Sequence, residues 1–184
     1  MVEGQRVMEL LPIDTPEYLQ LVAGWLAEKD NYQWLELGDG RQLVSVEWLT
    51  IAIQRKRYVL RLFTSDVDDQ PIGVVGLSDI NQHFKTANIW VVVGDKSYQN
   101  RGYATPAASR MLTIAFKELG LESIHTWIVE HNQSVRMAKR LRFRPIGRQR
   151  QSHCINGRVY DRLWFDLLAS EHEEIPDVKR RQTA

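Results

Sequence analysis

SYQNRGYATPAASRMLTIAF, residues 97–116, opens with polar residues around a lone glycine and then becomes a long apolar-periodic run. Directly before it stands NIWVVVGDK, residues 88–96, strand-like in its run of β-branched residues. A strand that passes through a Gln-Asn-Arg-Gly loop straight into a helix has two readings. One is plain connectivity. In the other, the loop amides hold an anion. A helix start leaves its first N–H groups unpaired and carries partial positive charge. Gly102 has no side chain and lets a ligand approach the backbone, and Ala104 is the next smallest choice at a second contact position. Arg101 adds a full charge, and Pro106 falls in the first turn, where its missing N–H costs little.

Outward from this stretch the chain reads as alternating elements. Residues 7–13 predict a first strand. Residues 15–29 predict a helix with Thr15 as N-cap and Pro16 at the first helical position. Residues 30–40 read as a loop carrying Tyr32 and Trp34, and residues 45–56 as a second helix capped by Ser45. Strands follow at 57–66, 72–80 and 86–94, with a turn between the first two that puts Pro71 at a strand start. The helix of the opening stretch spans about residues 102–119. Then come a strand at 123–130, a short helix at 132–141, and two strands within 143–168 joined at Asn156-Gly157, a strong hairpin signal. The order β-α-α-β-β-β-α-β-α-β-β is an α+β layout with one parallel crossover in its middle. It makes a single domain over residues 1–170 and a polar, frayed tail over 171–184.

The 184 residues suit one domain, and 43% hydrophobic content supports a core. A net charge of +1 sets up no field that demands nucleic acid or membrane. A single cysteine, Cys154, allows no internal disulfide and reads as structural, since no histidine partner is evident. No apolar run approaches a bilayer span, and the N-terminus lacks the apolar core of a signal peptide. These features together predict a soluble cytoplasmic protein. The five histidines show no ligand spacing with acidic residues, so no metal is expected. The six tryptophans either line a pocket or fill a core.

Gln99-Asn100-Arg101-Gly102-Tyr103-Ala104 resembles the (Gln/Arg)-x-x-Gly-x-(Gly/Ala) loop of the GCN5-related N-acetyltransferases, the GNAT superfamily, in the same position after a strand and before a helix. The element order resembles that fold over about residues 7–168. The resemblance implies a mixed, mostly antiparallel central sheet flanked by helices, with a splayed parallel strand pair at its centre. It also implies acetyl-CoA as cosubstrate, with its pyrophosphate on the amides from Gln99 to Thr105. Pantetheine would then lie along Val91, Val92 and Val93, pairing with the main chain of Val91 and Val93. Within the superfamily the chain is most similar to the branch of ribosomal-protein N-terminal alanine/serine acetyltransferases. The pointers are HNQSVRMAKRLRF (residues 131–143) and INGRVYDRLWFDLLASE (residues 155–171). Asn132 and Ser134 take up that branch's Asn-x-x-Ser cofactor positions, although Asn132 stands one residue too close. Arg142 replaces the usual glycine, and Ala138 occupies the place where many members carry a tyrosine acid.

Acetyl transfer needs a proton acceptor for the amine, a polarised thioester and a stabilised thiolate. Asp79 and Glu130, each at a strand end, or His125 could serve the amine, and Ser134 the thiolate. Each also has a plain structural role open to it: a turn cap, a solvated strand end, a core histidine, a helix cap. Tyr32, Trp34, Asp79 and His125 are the candidate acceptor-binding residues. The acceptor would be a protein N-terminal amine or a small-molecule amine such as a polyamine, amino sugar or antibiotic, and a homodimer is compatible with this reading. Two rivals remain at this level. A non-catalytic acyl-CoA-binding module would explain the absent tyrosine. An RNA-binding domain would use the basic run from Arg136 to Arg150, although only one aromatic residue, Phe143, stands among those arginines.

Overall fold

A computed structural model describes residues 7–36, 44–55 and 57–176. The expected order of elements persists, with an added short helix and several shortened ends. β1 is only Leu10–Leu11, paired with the strand β2 (Val59–Thr64). α1, Pro16–Ala27, starts where Thr15 Oγ1 accepts the Tyr18 amide at 3.2 Å. A short helix α2, Lys29–Tyr32, occupies the start of the expected loop, and residues 37–40 of that loop, with 41–43 after it, lie outside the described residues. α3, Val46–Gln54, is capped by Ser45, whose hydroxyl accepts from the Trp48 amide.

β3 (Pro71–Asn81) and β4 (Thr86–Val93) form the sheet centre as an antiparallel pair. β3 begins at Pro71, as a strand edge allows. After the loop, α4 runs Ala104–Thr113 and continues into a π-helical turn, Ile114–Glu118. β5 (Ser123–Val129), α5 (Ser134–Arg140), β6 (Arg144–Ile155) and β7 (Arg158–Leu168) complete the chain. Asn156 and Gly157 both take positive φ (52° and 77°), the geometry a two-residue hairpin turn requires.

The strands form one seven-stranded sheet in the order β1-β2-β3-β4-β5-β7-β6. It is antiparallel except for β4 and β5. Strand alternation divides the core. Leu60, Leu62, Val74 and Val92 pack beneath α1 and α3 with Trp25, Leu26 and Leu49. Phe63, Val75, Leu77 and Ile89 pack on the other face with Ala107, Met111 and Leu112 of α4. Burial on both faces explains why β3 and β4 read as nearly continuous apolar runs rather than as clean alternation. No helix among the described residues is long and apolar enough to cross a membrane.

The start of the tail docks rather than frays. The Ile175 amide donates to Ser109 Oγ at 2.8 Å, His172 meets Thr113 Oγ1 at 2.8 Å and lies 5.4 Å from the Phe116 ring. Arg142 pairs with Glu173 at 2.8 Å, and Arg144 with Glu171. Contacts between this segment and α4 therefore continue at least to Ile175. Three arginines of the basic run, Arg142, Arg144 and Arg148, sit in surface ion pairs, Arg148 with Asp161 at 3.0 Å, in keeping with the solvated-face reading of those charges.

Candidate active site

β4 and β5 are paired only at Thr86↔Ser123, Ala87↔Ile124 and Asn88↔His125. Beyond His125 they run apart, while β5 stays paired with β7 along its whole length. Thr126 marks the apex of the opening: its Oγ1 donates to the Ile89 carbonyl at 2.9 Å, in place of a ladder bond. Main-chain groups alternate in direction along a strand. The Ile89 carbonyl points into the gap, and the Gly94 amide points the other way, to Ile72 O at 2.9 Å. Val91 and Val93 therefore turn their N–H and C=O groups into the gap, and Val92 turns its own toward β3.

A cavity of about 470 Å³ lies at this gap, lined by residues from both faces of the sheet. On the α4–α5 side it is walled by Ile89, Val91, Ala108, Ser134, Met137 and Ala138. On the opposite side its walls are Trp34, Tyr58, Trp90, Trp127 and Trp164, with Asp79 and His125 among them. The Trp90 ring packs against Gly76, where a Cβ would fall 2.5 Å from it. Glycine is what lets the indole form this wall.

Asp79 reaches the cavity through a break in register between Ser78 and Asn81. Its φ of 53° is one that Asp tolerates better than most residues. Its carboxylate is exposed and meets the equally exposed Arg57 at 3.8 Å. His125, the last β5 residue paired with β4, has its pKa pushed below the usual histidine value by burial, with the charge of Asp79 opposing. Its ring lies 5.9 Å from Trp164 and makes no hydrogen bond among the described residues.

The segment carrying Trp34 is tied down from below. His153 Nε2 bonds the Gln33 carbonyl at 2.7 Å, and its Nδ1 receives Arg162 Nε at 3.3 Å. The Arg162 guanidinium also pairs with Glu36 and lies 3.9 Å above the Trp127 ring. Burial holds the His153 pKa low, the Gln33 bond opposes this, and Arg162 lowers it further. Trp34 meets His131 edge-on at 5.3 Å.

At the other end, α5 opens with Ser134, whose amide donates to Asn132 Oδ1 at 2.8 Å. Both residues line the cavity. The loop of residues 99–104 lies past Val93, at the open end of the gap. Gly102 has φ 94° and Asn100 φ 61°. Gln99, Asn100 and Arg101 are exposed, and Thr105 is half-buried in the first turn of α4. The side chain of its N-cap residue, Tyr103, makes no capping bond to the first amides of that helix. Tyr103 leaves the loop to donate its hydroxyl to Asp66 Oδ1 at 2.5 Å, and Arg101 lies 5.4 Å over Tyr98. The residues present thus fit an anion beside the loop and an extended chain in the gap.

Three expectations fail on placement. Glu130 does not line the cavity; its carboxylate accepts from Arg148 and from the Asp161 amide, both at 3.3 Å. Tyr32 is on the exposed side of α2, outside the cavity wall. Val92 is buried beneath α1 and α3, and strand alternation keeps its main chain out of the gap. Sequence reasoning also missed Tyr58, Ser78, Asn88, Trp90, Trp127 and Trp164. Four of the six tryptophans line the cavity. For Trp90 and Trp127 the available signal was a two-residue spacing from Asn88 and His125 on the two strands that splay.

The family model for the acetyltransferase (GNAT) domain matches residues 8–144. Among relatives in sequence, the candidate ribosomal N-acetyltransferase YdaF of Bacillus subtilis (strain 168) is 28% identical over 109 residues. That match spans 58% of this chain and 58% of that protein, so the chain covers little more than half of its relative's length. Among solved structures, a spermidine N-acetyltransferase from Vibrio cholerae in complex with CoA and spermine superposes with a TM-score of 0.75 at 19% identity, covering 92% of this chain and 99% of that one. A dodecameric form of a spermidine N-acetyltransferase from the same organism gives 0.73 at 20% identity, over 91% and 96%. At such identities the likeness is one of fold.

Proposed function

The chain belongs to the GNAT acetyltransferase family, and from that premise we propose that it transfers the acetyl group of acetyl-CoA to a primary amine by direct transfer in a ternary complex. The carrying observation is the cavity at the gap where β4 and β5 part. One face receives the cofactor and the other the amine, so the two reactants meet at the gap.

On the cofactor side, the amides of residues 99–105 take the pyrophosphate, assisted by Arg101 and the start of α4. The free main-chain groups of Val91 and Val93 pair with pantetheine as a strand neighbour would. A gap-facing N–H then polarises the acyl carbonyl. Ser134, on the same wall, stabilises the departing thiolate directly or through a water. Asn132 serves Ser134 by ordering the first turn of α5.

On the acceptor side, the aromatic wall and the exposed Asp79 carboxylate favour an amine that arrives as a cation. A small-molecule amine is the better-supported class, with polyamines first. The neighbouring fold members from Vibrio cholerae are spermidine acetyltransferases, one holding CoA and spermine. A protein N-terminal amine is the second reading, favoured by the name of the Bacillus relative. Thiol release from acetyl-CoA, read against polyamines, amino sugars and N-terminal peptides, tests the proposal. Release with a polyamine is the expected result. CoA binding without release for any amine would leave a binding module instead.

A further inference from the structure

We infer that His125 is the catalytic residue that removes a proton from the incoming acceptor ammonium. The inference rests on the acetyltransferase reading above and adds to it the identity of the base. His125 stands at the last paired position before β4 and β5 separate, one residue before the Thr126 bond that marks the apex. It lines the cavity on the acceptor face, opposite the side that carries Ser134. A proton acceptor must lie within hydrogen-bond reach of the amine as it meets the acyl group, and the apex is where the two faces connect.

Its surroundings keep the ring free and uncharged. No hydrogen bond among the described residues occupies either ring nitrogen, and Trp164 holds the ring from the side at 5.9 Å and 31°. Burial favours the neutral imidazole, the form that can accept a proton. Asp79 on β3 is the charge that acts on it, and it stabilises the imidazolium once formed. Asp79 is itself partly engaged by Arg57. Asp166 stands opposite on β7 in register. Glu36 lines the same cavity but is neutralised by Arg162. By contrast, Glu130 is held outside the cavity, and Asp79 sits at an exposed rim, suited to binding a cation rather than to taking a proton from one.

The step balances without a further reactant. His125 takes one proton from the ammonium, and the freed nitrogen lone pair forms the bond to the acyl carbon. The carbon–sulfur bond breaks, the thiolate takes the second nitrogen proton, and His125 returns its proton to solvent.

The pH dependence of kcat/KM for the acceptor tests this. A primary amine of pKa about 10 is almost wholly protonated near neutrality. An enzyme whose base is already neutral uses that ammonium form, so wild-type kcat/KM should be flat from about pH 7 to 9. Without the base only the free amine reacts, so His125→Gln should show a rise of roughly tenfold per pH unit across the same range. At pH 7 the variant should lose about 100-fold or more, with CoA binding unchanged, and imidazole should partly rescue His125→Ala. A wild-type profile that already climbs at unit slope overturns the inference, and so does a His125→Gln profile that stays flat. The wild-type arm decides even where the variants fail to fold. Thiol release with no amine at any pH would instead count against the acetyltransferase reading itself.

Discussion

Replacing Gly102 with valine separates the cost of backbone strain from the loss of a ligand. Gly102 adopts φ 94°, a conformation in which an L side chain costs about 1–3 kcal/mol. Gly120, past the π-helical turn that ends α4, offers a matched control. It has φ 65°, and a Cβ there would meet nothing within 4 Å. Gly120→Val therefore carries similar strain at the far end of the helix. In a domain of this size 1 kcal/mol moves Tm by about 2–4 °C, so both variants should melt about 2–12 °C lower. The difference lies in the response to CoA. At a concentration about 100 times Kd, CoA stabilises a folded protein by about 2.7 kcal/mol, and a tenfold rise in Kd cuts this to about 1.4. The valine side chain would stand between the pyrophosphate and the loop amides, so at least that tenfold loss is expected. Melting curves with and without CoA should show a ligand-induced shift halved or smaller in Gly102→Val and intact in Gly120→Val. A full CoA shift in a folded Gly102→Val protein would refute the loop as the pyrophosphate site.

Asp79→Asn keeps a residue tolerant of positive φ and removes only the charge; steady-state kinetics should show acceptor KM raised about tenfold, or about 1.4 kcal/mol, with the KM for acetyl-CoA unchanged. Gly76→Ala should drive Trp90 off its seat, because a Cβ would come within 2.5 Å of the ring. The expected cost is about 1–3 kcal/mol in denaturant unfolding, with weaker acceptor binding and normal CoA affinity. Acidification should destabilise the fold in two stages. His125, His153 and His172 all have lowered pKa values, with burial the first cause in each. In that window the unfolded chain binds more protons, so stability is full above about pH 6.5 and falls as pH drops through the folded-state values. Asp161 is held low by the Gln151 amide and by Arg148, and it adds a second loss below its ordinary value of 3.8. A Tm constant between pH 7 and 5 would contradict the histidine assignment.

Local chemistry made much of this protein readable from its chain. Thr15, Ser45 and Asn156-Gly157 act on their own neighbours within a few residues, and the structure puts a cap, a cap and a hairpin turn at those positions. The loop from Gln99 to Ala104 is likewise a short-range object, and the order of elements around it was enough to identify the fold. The acceptor face was not legible in the same way. Trp90 and Trp127 become neighbours of one cavity because β4 and β5 share a face at Asn88↔His125 and then part, a matter of register between distant strands. Trp164 joins them because β7 inserts between β5 and β6, although β6 precedes it in sequence. The same register excluded residues that looked equally eligible. Glu130 stands one position beyond Val129 and falls to Arg148, and Val92 faces the opposite core from Val91. Which side chains cap, turn or begin a helix is decided by contacts a few residues long. Which ones line a site is decided by strand pairing over dozens of residues, and only the folded sheet determines that.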